Sequence, residues 1–410
     1  MPRLWPLAVA LLAAWVASAC GLSSPDQSSP APRTGLNDGP AAPPLAHVTQ
    51  TPGAALEPSL ATFQDGFVVA WYDTRDGHSE IYARALSADA TPAGPEWRLT
   101  STDHDAFEAD VHALGDHDFV IGWYEKTSQA VLVPRMGRWS RDGRQSWVET
   151  LAPNGRNTVV RVDGDLVFVA WVQDEDEARA GVWAGWWRAS GEVAVPARRV
   201  ADASRTTWNL NAAVAPGSTP VAPRAWVVFD AKVGSRSDEI FLVEVGSARP
   251  VTRLTPDDGV SSKYPDANPA GDRVAITWFD TVDTNEDVYL AVGLASQLLR
   301  HDGLSTAKTM RVTSTPGHSI GAYVTWNGPR VGLSWCDDTV GQHEVYVQTF
   351  DPSGRPQKRP QRLTETQDGS MIPAIEPWRS GFAMAWTERE VAQTGAHADG
   401  RAQIAVRVVP

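Results

Sequence analysis

The chain has 410 residues, 42% of them hydrophobic, with 36 Lys and Arg against 49 Asp and Glu and a formal net charge of −13. That acidic balance argues against nucleic acid and against anionic lipid headgroups as partners, and the solubility of an exported protein accounts for it without a special ligand. Only two cysteines are present, so the fold cannot rest on disulfides and its stability has to come from burying apolar residues.

The first 19 residues have the layout of an export signal. Arg3 supplies the positive start, and Leu7 to Val16 form an apolar run of about ten residues, half of what a membrane-spanning helix needs. Ala17-Ser18-Ala19-Cys20 follows. It resembles the bacterial lipobox, in which the peptide is cut before a Cys that then carries lipid, so Cys20 is the expected lipidation site. Leu is the commoner residue where Ala17 stands, and ordinary cleavage after Ala19 with Cys20 unmodified is the plainer alternative. Gly21 rather than Asp follows the Cys, which by resemblance to sorted lipoproteins fits the outer membrane where a cell has one. Residues 20–44 are rich in Ser, Pro and Ala and read as a flexible tether. With Cys20 spent on lipid, Cys336 has no disulfide partner.

Residues 45–410 read as one propeller domain. A run of apolar residues, then Trp, an aromatic or apolar residue and an acid recurs along it. The Trp positions are Trp71, Trp123, Trp171, Trp278, Trp335 and Trp386, with Val228 in the corresponding place of a seventh copy. From Trp71 to Trp386 the mean spacing over six intervals is 52.5 residues. Further strands follow the acid, as in Glu80-Ile81-Tyr82 and Glu344-Val345-Tyr346, then Arg98-Leu99-Thr100 and Arg362-Leu363-Thr364. β-branched and aromatic residues bounded by Gly, Asp, Asn and Pro are strand and turn chemistry. Four strands per unit of about 50 residues, seven times, predict an all-β, seven-bladed β-propeller of four-stranded blades. The last copy stops after its third strand, and His47-Val48-Thr49 supplies the missing fourth, closing the ring and leaving no open edges. A monomer is expected. The repeated Trp residues read as core between blades, and Cys336, in the slot of Tyr72, Tyr124 and Phe279, as a buried apolar residue.

The run from Trp71 through Asp76-Gly77 and Glu80-Ile81-Tyr82 to Arg98-Leu99-Thr100 resembles the repeats of TolB-type propellers. Ser140, Asp142, Gly143 and Trp147 resemble the Asp-box of sialidase-type propellers, with the Gly one position early. Both motifs are structural, and the resemblance implies a fold more than a chemistry. Sialidases as a family use an arginine triad, a Tyr–Glu nucleophile and an Asp acid. Their first arginine lies in an Arg-Ile-Pro motif that this sequence lacks, so no triad residue carries over.

Two acidic groupings invite a ligand. Asp103 to Asp105, Glu108, Asp110, His112 and Asp116 to Asp118 have metal-ligand chemistry, but a strand over 108–114 separates its ends by about 23 Å. The acids that follow each Trp, by contrast, emerge on one face: Asp73, Asp76, Asp174, Asp176, Asp230, Asp280, Asp283, Asp337, Asp338 and Glu388. Asp280 to Asp287 carries enough oxygens for Ca²⁺ but lacks EF-hand spacing; turn N–H groups and arginines such as Arg75 are the ordinary partners of such acids. The leading expectation is a non-catalytic envelope lipoprotein whose acidic loop face docks a protein or glycan, touching the membrane only through its lipid. The alternative is a carbohydrate-active enzyme of sialidase-like or lyase type, which requires Arg and carboxylate side chains to converge at the central mouth.

Overall fold

The computed structural model describes residues 45–173, 180–202, 207, 209–234, 237–300, 308–390 and 401–410. The expected export signal, Cys20, the expected tether, Asp174 and Asp176 lie outside the described residues.

Seven four-stranded antiparallel sheets form the domain. In the first blade, β2 (Ala55–Phe63), β3 (Gly66–Asp73), β4 (Glu80–Ser87) and β5 (Pro92–Arg98) run from the axis outward. β3 is buried at all eight positions, whereas β5 is mostly exposed. Neighbouring blades cover both faces of the second strand, so its sequence is apolar without alternation. The other innermost strands are β6 (Ala106–Leu114), β10 (Arg156–Asp163), β14 (Leu210–Val214), β18 (Ser261–Ala270), β22 (Ser319–Asn327) and β26 (Ser370–Trp378). Each touches the next, and β26 touches β2, so the ring is closed.

Closure uses the strand expected for it. β1 (Ala46–His47) pairs antiparallel with β28 (Arg401–Val409), which lies against β27 (Gly381–Glu390) and β26. Beyond β1, the Val48 N–H donates to the Ile404 carbonyl (2.7 Å). The Thr49 hydroxyl donates to Gln403 Oε1 (2.7 Å) and accepts from the Ile404 N–H (2.9 Å).

The six repeated Trp side chains are among the largest fully buried groups. They sit between blades as core, with Trp226 filling the same role two residues before Val228. Cys336 is buried, its thiol donating to the Ile320 carbonyl (3.3 Å).

The innermost strands depart from regular pairing. Six of the seven carry a β-bulge, between Leu56 and Ser59, Phe107 and Asp110, Arg156 and Val159, Lys263 and Asp266, Ile320 and Tyr323, and Met371 and Ala374. Each bulge holds one residue at positive φ: Glu57, Glu108, Asn157, Tyr264, Gly321 and Ile372, all between 50° and 62°. Only glycine adopts that conformation freely; elsewhere it costs on the order of 1 kcal/mol or more. A bulge re-aims a side chain that regular pairing would bury between blades. β14 pairs without a break, with Leu210, Asn211 and Ala212 opposite Phe229, Val228 and Val227.

Candidate functional site at the central channel

Most of the acids that follow each Trp are structural. The indole N–H of Trp71 donates to Asp73 (3.2 Å), Trp123 to Glu125 (3.0 Å), Trp278 to Asp280 (2.8 Å) and Trp386 to Glu388 (3.1 Å). Residues i and i+2 lie on one face of a strand, which is why the motif has that spacing. Asp73 is fully buried and also accepts from the Thr51 hydroxyl, the Arg75 N–H and the Arg75 guanidinium. Asp337 accepts from Thr339 N–H and the Thr315 and Ser319 hydroxyls; burial works to raise its pKa, but these bonds prevail and hold it below the usual range. Asp230 accepts from the Asn209 and Tyr264 backbone N–H groups, tying two blades together. Asp76 accepts from the Tyr82 hydroxyl (2.5 Å) and pairs with Arg98 (3.4 Å).

The Asp280 to Asp287 segment is likewise engaged. Asp280 accepts from the Ser262 hydroxyl and Trp278, Asp287 binds Arg311 and Thr313, and Asp283 occupies the tight turn before Asn285 at φ 50°. Among the described residues, no three His, Cys, Asp or Glu side chains gather as a metal site does. Ser140 to Trp147 forms a hairpin between the third and fourth strands of the second blade. Gly143 sits at φ 85° where a Cβ would collide with Trp97 of the blade before, and Trp147 donates to the Ala189 carbonyl of the blade after (3.0 Å). This hairpin joins three blades through their outer strands.

Sequence reasoning missed the polar groups that converge on the axis. Glu57 and Glu108, re-aimed by their bulges, lie within electrostatic reach of each other. The Tyr72 hydroxyl approaches Glu57 (3.5 Å), and that of Tyr124 donates to Glu108 (2.9 Å). Burial first, and then the neighbouring carboxyl, pushes the Glu57 pKa up; burial also raises Glu108, against the Tyr124 bond and the charge of Arg156. Both carboxyls are thereby biased toward their protonated form relative to a free glutamate. Tyr264 and Tyr323, from the fifth and sixth blades, sense both carboxyls. Groups from four blades interact this way only where the blades meet.

A second layer lies further along the inner strands. Arg161 donates to Asp110 (2.7 Å), to the Ala212 carbonyl (2.9 Å) and to Asn211, and it senses Asp266 and Glu376 across the ring. Asp110 and Asp266 also cap the free strand edge of the next blade, accepting from Val160 N–H and Val324 N–H (2.7 Å each). Burial pushes Asp266 up to about 6 and Glu376 to about 8. Glu376 has no hydrogen-bond or ion-pair partner among the described residues, and neither does the Tyr323 hydroxyl. The hints in the sequence were charged residues inside inner strands: Glu57, Glu108, Asp110, Asp266 and Glu376.

The architecture is that of a seven-bladed β-propeller whose innermost strands carry charged and hydroxyl side chains near the axis. Among solved structures, the chain is similar to the phage phi92 endosialidase, at 9% identity and a TM-score of 0.55, covering 89% of this chain and 68% of that one. It is also similar to the β-propeller domain of the trilobed protease from Pyrococcus furiosus, at 9% identity and a TM-score of 0.48, covering 81% of this chain and 91% of that one. The first likeness shows a common fold and nothing finer. No family model and no curated protein sequence matches the chain.

Proposed function

We propose that this protein is a lipid-anchored propeller of the bacterial cell envelope that binds a glycan at the mouth of its central channel. The convergence of Glu57, Glu108, Tyr72, Tyr124, Tyr264 and Arg156 carries this reading. Hydroxyl, carboxyl and guanidinium groups set against aromatic rings are what a sugar's hydroxyls and apolar face require. The site thus moves from the loop acids, whose oxygens are mostly engaged, to the axis. Lipid on Cys20 and the tether after it would hold the ring off the membrane.

The test is a glycan array probed with the purified full chain and with Glu108→Gln. Binding to some glycans by the natural chain, reduced at least tenfold in the variant, is expected. Equal binding by both, or none by either, would remove the reading. The Glu57–Glu108 pair also favours a second reading, hydrolysis, because one protonated and one ionised carboxyl provide an acid and a base. Release of new reducing ends from a bound glycan, abolished in Glu108→Gln, would distinguish it from simple binding.

A further inference from the structure

We propose that the ring docks flat on an anionic phospholipid membrane through the face at which the chain enters it; this rests on the lipid-anchored reading above and gives that anchor an orientation.

The topology makes the two faces of the ring unlike. In each blade the first-to-second and third-to-fourth strands connect on one face, and the second-to-third strands and successive blades connect on the other. β1 is the fourth strand of the last blade and begins at the first of these faces. Ala46 lies opposite Val406, and Val409 at the end of the same β28 lies opposite Phe382, just past the hairpin of Arg379 and Ser380. Leu45 therefore joins the ring at this entry face of the seventh blade, with residues 20–44 before it. A flexible chain of that length spans about 27 Å on average, so this edge of the ring stays nearest to whatever holds Cys20.

The net charge of −13 argues against anionic lipid for the chain as a whole, but the charge is unevenly spread. Arg330, Arg355, Lys358, Arg359 and Arg379 lie in or beside the entry-face connections of the sixth and seventh blades. All are at least partly exposed, and none forms a salt bridge with a described residue. Arg330 lies over the Phe382 ring and Arg379 over that of Trp378, and the Asn327 side chain donates to the Arg379 carbonyl (3.1 Å), holding the two hairpins side by side. Asp351, the acid of the same region, is occupied by the N–H groups of Ser353 and Arg355. Elsewhere such cations are answered: Arg141 by Asp65 and Arg188 by Asp165 on this face, Arg75 by Asp73 and Lys126 by Asp105 on the other. Unanswered cations gathered where the chain enters are the complement of an anionic surface. Each Lys or Arg within about 8 Å of such a surface strengthens attachment about fivefold.

The exposed apolar residues select lipid over other polyanions. Val221, 94% exposed, tops the connection between β14 and β15, and Leu45, Val193 and Val251 also stand at the entry face. That connection is the longest between a first and a second strand. It is held in shape by the Ser218 N–H donating to Asp163 of the blade before and the Ala222 N–H donating to the Thr219 carbonyl (3.1 Å). Of the large apolar residues left exposed among those described, Val340 alone is on the opposite face. Apolar tips beside cations are what a peripheral protein inserts into a headgroup layer; a soluble polyanion would use the cations and leave these tips in water. The cations lie in the sixth and seventh blades and Val193, Val221 and Val251 in the third and fourth, so contact spans the face. The docked ring turns its other face outward, and Glu57 and Glu108 stand near that face, at the starts of β2 and β6.

Vesicle flotation of the full chain carrying Cys20→Ser, which removes the lipid, tests the face alone. Vesicles of equimolar phosphatidylcholine and phosphatidylglycerol should carry the protein at least tenfold better than phosphatidylcholine alone. Arg355→Glu/Lys358→Glu/Arg359→Glu, all exposed, should lose that preference at unchanged Tm, and Val221→Asp should weaken attachment severalfold. Lys126→Glu/Arg253→Glu/Arg389→Glu, on the opposite face, makes the same change in net charge and should bind as the parent does. Equal binding to both vesicle types, binding to neither, equal losses in the two triple variants, or full attachment of Val221→Asp would overturn the docking. Mass spectrometry of the protein from cell envelopes decides the lipid separately: an unmodified Cys20 overturns the anchor, and the vesicle result then stands or falls by itself.

Discussion

Single residues explain why the repeat looks as it does. Glu80 and Glu344 begin the third strands of their blades and are fully buried. Each accepts from the Thr of the Arg-Leu-Thr strand, from the N–H two residues beyond that Thr and from the Arg: Thr100, Thr102 and Arg98, or Thr364, Thr366 and Arg362. Asp287 with Thr313 and Arg311, and Glu239 with Thr255, repeat the theme. The two motifs recur together because one is the hydrogen-bond partner of the other. Glu344→Ala should strand Thr364 and Arg362 and cost about 2–4 kcal/mol, read as a lowered midpoint in urea unfolding; a change within 0.5 kcal/mol would contradict this account.

Elements add what residues cannot. β1 is two residues long, yet the segment it opens ties the chain's two ends together through Val48, Thr49 and Gln403. Deleting the chain through Thr49 removes a fully buried Val and a buried hydroxyl pair, a loss of about 3 kcal/mol. The truncated protein should melt at lower temperature and expose the edge of β28 to early proteolysis. An unchanged Tm and digestion pattern would refute this closure. The inner-strand bulges are the other feature of this scale. Register shifts by one residue in six blades and not in the fourth, and at that place Arg156 and Arg161 of the third blade reach across to the Thr207 and Ala212 carbonyls.

At the scale of the whole molecule, the axis gathers carboxyls whose pKa values are raised, and this couples stability to pH. Glu376, facing Arg161, Asp266 and Asp110, has a pKa pushed by burial to about 8 from 4.5. Between those values the folded chain keeps a proton that the unfolded chain has released. The stabilisation is complete below about pH 4.5 and is lost as pH rises toward 8. Asp266, pushed to about 6, acts in the same sense. Glu80 and Asp337, whose pKa values are lowered, act oppositely and only in acid. Unfolding free energy should therefore fall between pH 5 and 8.5, and Glu376→Gln should flatten that fall by on the order of 1–3 kcal/mol. A variant with the same pH slope as the natural chain would show that Glu376 ionises freely in the folded state.

The sequence by itself determined the blade count, the four strands per blade, the closing strand and the interior position of the Trp residues. These follow from local chemistry repeated seven times, and each copy reports on the others. The sequence could not tell that Asp73 and Asp337 are buried and bonded within the blade, because an acid two residues after a Trp reads the same whether it points to solvent or to the indole. Only the tertiary structure decided what lies on the axis. Glu57, Glu108, Tyr323 and Glu376 are about 50 to 320 residues apart in the chain. They become neighbours because seven inner strands close on a common line, and because bulges turn Glu57 and Glu108 away from the blade interfaces that regular pairing would have given them.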